Sequence, residues 1–295
     1  MKIYIAGGSG FIGSALTRVL CDLGHTVTWI SRDKTKYPDA PVSVINYDEL
    51  TTFKVPEAVI NLAGAGIADR PWTDSRRQTL IDSRIQPTEK LVKWLHDLSF
   101  SRHPKPIFLS GSAIGFYGTG GTGLTEEALG GTGFDATLCQ RWEEVARRAK
   151  PAVSRFHLLR TGVVLGQGEG MLARLELPFK LCLGGRIGSG AQVMSWISLS
   201  DWVRAAVFIL ENPCTSGPVN MTAPHSVTNR HFTEALSDAL NRPAVIPMPS
   251  FPVRNLLGDM SKLLFEGQDV VPSVLLECGF VFKFERIEEA LADIY

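Results

Sequence analysis

Three glycines spaced three residues apart, directly after an apolar segment, constrain the fold of this chain most strongly. Residues 2–6 (KIYIA) are apolar enough for a buried strand, and residues 11–24 have the amphipathic period of a helix. Gly7, Gly10 and Gly13 between and within them are spaced as in dinucleotide-binding βαβ units. We expect Gly7 to allow the tight turn, Gly10 the approach of a pyrophosphate, and Gly13 close packing of helix on strand.

The first half of the chain alternates apolar and amphipathic segments. Strands are predicted at 2–7, 25–31, 42–47, 57–64, 105–111 and 155–162, and helices at 11–24, 74–98 and 138–149. This alternation predicts an α/β fold, a Rossmann-type doubly wound parallel sheet, because right-handed crossovers place helices on both faces. The N–H groups of Phe11 and Ile12, at the start of the first helix, are expected to face the phosphates of the cofactor.

The pattern changes after residue 165. Residues 166–192 are rich in glycine and contain one predicted helix, a strand is predicted at 193–199, and helices are predicted at 200–212, 229–241, 251–265 and 284–294. We therefore divide the chain into a Rossmann domain, residues 1–165, and a smaller substrate-side lobe, residues 166–295, that does not fold independently.

The end of the second strand indicates which cofactor binds. This strand ends in Ser31 and Arg32, and a hydroxyl beside a cation suits a 2′-phosphate, so NADP(H) is favoured over NAD(H). Asp33 follows, and an acid near this position is the feature that would favour NAD. Further cofactor contacts are predicted at strand ends and nearby, from Leu62, Ala63, Gly64, Arg84, Ser110 and Val163.

Composition excludes several classes of function. Lys plus Arg and Asp plus Glu number 30 each, which argues against a nucleic-acid partner. The sequence contains no run of 18 apolar residues, so no membrane-spanning segment is predicted. The five scattered cysteines contain no CxxC pair, which is typical of reduced thiols and a cytoplasmic protein. The six histidines show no metal-binding spacing, so no metal is expected.

Several longer blocks resemble one protein family. NLAG (61–64), FLSGSA (108–113), LLRTGVVLG (158–166) and WISLSDWVRAA (196–206) are similar to blocks of the extended short-chain dehydrogenase/reductases. IADRPWT (67–73), RWEEVA (141–146), GGRIGSG (184–190) and PSVLLECGFVFKF (272–284) resemble its YfcH-like subgroup, which is described as epimerase family proteins. The resemblance covers essentially the whole chain.

The chain departs from this family at its catalytic pair. The resemblance implies a Tyr acting as acid and base with a Lys four residues later, but none of the five tyrosines has a Lys at that position. At the expected helix, either Phe134 and Leu138 or Asp135 and Cys139 occupy the two places, depending on a register shift of one residue.

Ser112 and Tyr117 are the remaining catalytic candidates. Ser112 matches the family's serine after the fifth strand, and Tyr117 lies just beyond that strand, near the expected nicotinamide. Three hypotheses stay open: Tyr117 or another residue serves as the acid, water supplies the proton, or the protein binds the cofactor as a sensor.

A substrate pocket is predicted from aromatic and polar residues in the family-like blocks. Trp72, Gln192 and Trp196 are expected to contact a small polar substrate, and Arg84 either the cofactor phosphates or a substrate carboxylate. The sequence thus favours an atypical NADP(H)-dependent short-chain oxidoreductase or epimerase-like enzyme of unknown substrate. The alternative is a non-catalytic NADP(H)-binding regulatory protein, and the oligomeric state is not predicted.

Overall fold

The structure is a computed structural model that describes residues 1–52, 55–100, 104–213, 216–244, 246–247 and 258–295. Its strands are β1 (Lys2–Ala6), β2 (Thr26–Ser31), β3 (Ser43–Asn46), β4 (Ala58–Asn61), β5 (Ile107–Ala113), β6 (Arg155–Thr161), β7 (Val163–Leu165), β8 (Val193–Met194), β9 (Trp196–Ser198), β10 (Gly217–Met221) and β11 (Val227–Thr228). Its α-helices are α1 (Phe11–Asp22), α2 (Asp74–Ser99), α3 (Phe134–Arg147), α4 (Gly170–Lys180), α5 (Leu199–Glu211), α6 (Asn229–Leu240), α7 (Lys262–Phe265), α8 (Ser273–Glu277) and α9 (Ile287–Ile294).

A parallel seven-stranded sheet in the order β10-β6-β5-β4-β1-β2-β3 forms the centre of the molecule. The predicted Rossmann-type doubly wound sheet is therefore confirmed. The strand order reverses beside β1, which lies between β2 and β4. Open sheets of this kind bind ligands outside the carboxyl ends of the strands at such a switch point.

Both faces of the sheet are covered by helices. Because side chains alternate along a strand, Ile3 and Ile5 of β1 pack on the face covered by α1 and α5, while Tyr4 packs with α2 and α3 on the other face. Strands buried on both faces are near-continuous apolar runs, which is why the sequence predicts them well.

The second half of the chain is not a separate lobe throughout. Strand β10 pairs with β6 in the central sheet, and α5 packs on that sheet, so residues beyond the predicted boundary at 165 contribute to the same core as the residues before it. The pattern hides β10 because it is short and begins Gly217-Pro218, and proline is tolerated there because β10 is an edge strand. A smaller cluster around Trp196, Phe232 and Leu291 forms the remaining C-terminal part.

Two buried carboxylates attach the C-terminal segment to the sheet. Asp201 of α5 accepts hydrogen bonds from the backbone N–H groups of Lys283 (2.8 Å) and Phe284 (2.9 Å). Glu126 accepts from the N–H groups of Asn220 (2.9 Å) and Val274 (3.3 Å). Of the predicted helix 251–265, residues 251–257 lie outside the described part, and the rest forms a 3-10 turn followed by α7. Among the described helices, none is long and apolar enough to cross a bilayer.

Candidate functional site

The glycine turn between β1 and α1 is built by close backbone contacts. Gly7 has a φ of +81°, and a Cβ there would lie 2.6 Å from the carbonyl oxygen of Leu62. A Cβ on Gly13 would overlap Gly7 and lie 2.7 Å from the Cα of Gly8. At Gly10 the nearest atom would be 3.4 Å away, so the fold itself leaves room there. A glycine that internal packing does not demand fits a position that a ligand approaches closely.

The N-terminus of α1 has no side-chain partner of its own. Gly10 is its N-cap residue, no side chain caps it, and no acid lies in its first turn. Its N–H groups and the positive end of its dipole therefore suit an anion. The ring of Phe11 packs against Gly166, where a Cβ would lie 2.8 Å from its Cζ, so Phe11 also supports the chain after β7.

A cleft of about 220 Å³ opens at the switch point, and we name it the switch-point cleft. Its lining residues are Gly7, Ser9, Gly10, Trp29, Ile30, Ser31, Arg32, Tyr37, Val44, Tyr47, Leu62, Ala63, Gly64, Ala65, Ser83 and Pro87. The fold thus brings together seven residues predicted to bind the cofactor: Gly7, Gly10, Ser31, Arg32, Leu62, Ala63 and Gly64. Their contacts with a cofactor stay predictions.

The end of β2 presents a cation and no available acid. Arg32 is exposed, and no described carboxylate lies within ion-pair distance of it. The carboxylate of Asp33 accepts hydrogen bonds from the N–H (3.1 Å) and hydroxyl (2.6 Å) of Thr35, and these bonds lower its pKa. The Asp33 carboxylate is therefore bonded within its own turn. It is a weaker argument for NAD than the sequence alone suggests.

The sequence prediction missed the aromatic wall of this cleft. A Cβ on Gly8 would lie 2.6 Å from the indole Cγ of Trp29, so only glycine at this position leaves room for the ring. The indole N–H of Trp29 donates to the hydroxyl of Thr17 (2.8 Å), and Tyr37 packs edge-on against Trp29. Tyr47 lines the same end, and burial raises the pKa of its phenol. In the sequence, the second glycine of the Gly7-Gly8 pair is the feature that could have indicated a bulky ring packed against this turn.

Arg84 of α2 lies beside the cleft, in contact with its lining residues Gly64, Ala65 and Ser83. Its guanidinium donates to the carbonyl oxygens of Leu80 (3.1 Å) and Ala65 (3.0 Å), and it packs 5.4 Å from the ring centre of Trp142. Within the described chain it has no ion-pair partner. Burial lowers the pKa of Arg84, with a smaller contribution in the same direction from Arg76.

Ser112 and Tyr117, whose catalytic roles stay predictions, lie in a buried hydrogen-bond network. Both side chains are buried, and neither lines the switch-point cleft. The Ser112 hydroxyl donates to Glu143 (2.8 Å), and the Tyr117 hydroxyl donates to the amide oxygen of Asn220 (2.7 Å). Burial raises the pKa of Tyr117, which opposes a role as a proton shuttle near neutral pH.

Both hydroxyls belong to a network centred on Arg160. Its guanidinium donates to both carboxylate oxygens of Glu143 (2.8 and 3.0 Å) and to the Tyr117 oxygen (2.9 Å). Arg160 and Glu143 are at most 2% exposed. A buried pair with this bidentate geometry is structural, and it holds β5, β6 and α3 together.

The two pairs considered at the expected catalytic helix face different surroundings. Gly115 lies against Asp135 and Cys139, with distances of 3.5 Å and 3.6 Å from its notional Cβ to the Asp135 Cβ and the Cys139 Sγ. Asp135 and Cys139 thus face the end of β5, whereas Phe134 and Leu138 join an apolar cluster with Trp72. Burial raises the pKa of Asp135, and it raises the pKa of Cys139 to about 12.

The remaining residues predicted to contact cofactor or substrate are mostly bonded within the protein. Ser110 and Trp196 are fully buried, and the Trp196 indole donates to the carbonyl of His225 (2.9 Å), so direct ligand contacts are not supported for either. Trp72 is buried against Phe134, and its indole donates to Ile67 (2.9 Å). Gln192 donates to the carbonyl of Ile187 (3.1 Å). Val163 is half-buried beside Trp196. Among the described residues, no cluster of potential metal ligands occurs.

The fold and the switch-point cleft define a protein class that comparison with known families identifies. The NAD dependent epimerase/dehydratase family model matches residues 3–221, and a domain of unknown function, DUF1731, matches residues 248–294. The chain belongs to the NAD dependent epimerase/dehydratase family. The resemblance to atypical extended short-chain dehydrogenase/reductases that the sequence suggested is thereby confirmed.

Individual relatives span the whole chain. Epimerase family protein Mb2239 of Mycobacterium bovis is 43% identical over 98% of this chain and 96% of its own length. The crystal structure of human epimerase family protein SDR39U1 (isoform 2) with NADPH has a TM-score of 0.90 at 33% identity, covering 100% of this chain and 99% of that one. A nucleoside-diphosphate sugar epimerase from Corynebacterium glutamicum has a TM-score of 0.78 at 28% identity, covering 100% of this chain and 58% of that one.

Proposed function

We propose that this protein binds NADP(H) in the switch-point cleft and uses it in oxidoreductase or epimerase-like chemistry on a small polar molecule. The observation that carries the cofactor is the end of β2, where Arg32 is exposed without an ion-pair partner among the described residues and Asp33 is engaged by Thr35. A free guanidinium suits the 2′-phosphate of NADP(H). The NADPH complex of human SDR39U1 supports the same assignment.

The cleft and the adjoining N-terminus of α1 fit the adenosine and pyrophosphate part of a dinucleotide. Gly10 leaves room for the pyrophosphate, and the N–H groups of Phe11 and Ile12 would bind it at the N-terminus of α1. Residues 62–64 would lie under the adenosine and ribose side, where they line the cleft. When bound, this cofactor supplies or accepts a hydride.

Replacing Arg32 by alanine should remove the preference for the phosphorylated cofactor. One charge-assisted contact is worth about 1.5–3 kcal/mol, so NADPH is expected to bind about tenfold to a hundredfold more weakly while NADH affinity stays unchanged. Isothermal titration calorimetry with both cofactors measures this. Arg18→Ala removes another exposed arginine and should leave both affinities as in the wild type. An unchanged NADPH-to-NADH ratio in Arg32→Ala would refute the assignment.

Asp135 is the proton donor in our proposal. In one of the two registers considered above, Asp135 takes the place of the family's acid on α3; it lies against Gly115, just beyond β5, and burial raises its pKa. Lys262, which lowers this pKa, and Glu266, which raises it, are the charged side chains opposite. A hydride added to a carbonyl carbon would then be matched by a proton from Asp135 to the carbonyl oxygen, with the carboxylate regaining its proton from water.

Asp135→Asn should slow hydride transfer by about a hundredfold, the usual contribution of a general acid. The measurement is deuterium transfer from 4-deuterated NADPH into a panel of small carbonyl compounds, followed by mass spectrometry. The wild-type rate should fall as the pH rises through the raised pKa, because the ionised carboxylate has no proton to donate. Asp97→Asn, an exposed change on α2, is the control. Equal rates for Asp135→Asn and wild type would exclude Asp135 as the donor.

A regulatory NADP(H)-binding protein is the second candidate. It is favoured by the absence of the Tyr-Lys pair and by the burial of Ser112 and Tyr117 in the Arg160 network. NADPH binding with no deuterium transfer to any compound of the panel would support this candidate over the enzyme.

A further inference from the structure

Arg84 carries a positive charge that the described protein does not neutralise. Its Nη1 donates to Leu80 and, at 3.4 Å, to the hydroxyl of Ser83, and its Nη2 donates to Ala65. These acceptors are neutral, and they engage three of the five N–H bonds of a guanidinium. Hydrogen bonds alone would hold the loop in place, and a neutral side chain can make them. A partly buried charge without a counter-charge is costly, so a structural role does not account for an arginine here.

Neighbouring charges add to this excess. Arg76, on the same face of α2, donates to the carbonyl of Gly66 (2.6 Å), and its buried Nε has no hydrogen-bond partner. The nearest acid is Asp69, 3.7 Å from Arg76, and it is bonded more closely by Arg174 (2.7 Å). Arg76, Arg84 and Arg174 therefore all bond to the loop of residues 64–69, in which Asp69 is the single acidic residue.

This positive loop adjoins the switch-point cleft. Gly64, Ala65 and Ser83 line the cleft, and Arg84 bonds to two of them. Arg84 also packs against Gly64, where a Cβ would lie 3.2 Å from its Cζ, so glycine keeps this approach open. Arg32 lines the same cleft after β2, and Arg84 adjoins it at residues 64 and 65. A cofactor phosphate at Arg32 therefore leaves Arg84 for a second anionic group.

The geometry points to Arg84 as the binding site for a carboxylate on the substrate, with Arg76 supplying additional positive charge. The substrate class is then a small carbonyl compound that carries a carboxylate. The planar fork of a guanidinium matches the two oxygens of a carboxylate, and two N–H bonds remain for it. This inference rests on the proposed function, since it concerns the substrate used with the same cofactor.

The test is a ligand-observed NMR titration of the NADP⁺-saturated protein with 2-oxobutanoate and with its uncharged analogue 2-butanone. The wild type should bind 2-oxobutanoate in a saturable manner and at least tenfold more tightly than 2-butanone. Arg84→Gln should weaken 2-oxobutanoate binding at least tenfold, Arg84→Lys should weaken it less, and Arg141→Gln, on the exposed face of α3, should leave it unchanged. Thermal unfolding checks that each variant is folded. If Arg84→Gln does not fold, the 2-oxobutanoate affinity of Arg84→Lys is used in its place.

Several outcomes would overturn the inference. One is the absence of saturable 2-oxobutanoate binding by the wild type; another is unchanged affinity in folded Arg84 variants. Tighter binding of inorganic phosphate than of 2-oxobutanoate would assign a phosphorylated substrate instead. A tenfold loss of NADPH affinity in Arg84→Gln would assign the site to the cofactor's own phosphates. If the wild type binds no NADPH, the proposed function fails separately, and the same titration of the cofactor-free protein still tests Arg84.

Discussion

Glu143→Gln is expected to lower the free energy of unfolding by about 3–5 kcal/mol, the usual cost of removing one partner from a buried ion pair. The change leaves the guanidinium of Arg160 buried without its counter-charge, and it weakens the acceptor of the Ser112 hydroxyl. Arg147, which also bonds to Glu143 at 2.7 Å, is partly exposed and loses less. Urea denaturation followed by circular dichroism measures the effect.

The neighbouring residue provides a matched control. Glu144→Gln alters a carboxylate that is 72% exposed, and it should change stability by less than about 1 kcal/mol. The double variant Glu143→Leu with Arg160→Met removes both charges, so it should be less destabilised than Glu143→Gln. A Glu143→Gln protein within 1 kcal/mol of the wild type would contradict the structural role assigned to this network.

Asp201→Asn should cost about 3 kcal/mol of stability, because both carboxylate oxygens accept buried hydrogen bonds. One oxygen accepts from the N–H of Lys283 and from Arg204, and the other accepts from the N–H of Phe284. The amide nitrogen of an asparagine would necessarily face one of these donors. Hydrogen exchange should show faster exchange in residues 280–287 of the variant, and urea denaturation gives the free energy.

Asp238→Asn is the control for this change, since Asp238 is exposed on α6. It should leave both stability and exchange unchanged. Slow exchange of the Lys283 and Phe284 amides in Asp201→Asn would show that other contacts, and not Asp201, hold the segment.

The sequence predicted the parts of this molecule that obey local rules. Runs such as IYIA and VTWIS are buried strands because both faces of a parallel sheet are covered, and the glycine spacing defined the turn before α1. Strand β10 was missed because it is short and begins Gly217-Pro218, so its place in the sheet shows only through its pairing with β6.

The sequence predicted those site residues whose positions follow from the backbone geometry of the sheet. It predicted less well the side chains whose positions depend on partners far away in the chain. Residues 7, 10 and 62–64 meet in the cleft because strand ends in a parallel sheet converge. Ser112 and Tyr117 look available in the sequence, but their partners are Glu143 and Asn220, which are 31 and 103 residues away. The positive loop at Arg84 likewise depends on contacts between α2 and residues 64–69.

The attachment of the C-terminal segment also bears on how the chain matures during synthesis. Leu275, Phe280 and Phe282 pack in the same core as Val219 of β10, and Glu126 ties that strand to Val274. The cover that α1 and α5 give this face therefore stays incomplete beside β10 until residues 274–284 have emerged from the ribosome. Chains interrupted before that point would expose apolar surface of the kind that chaperones bind and that aggregates readily.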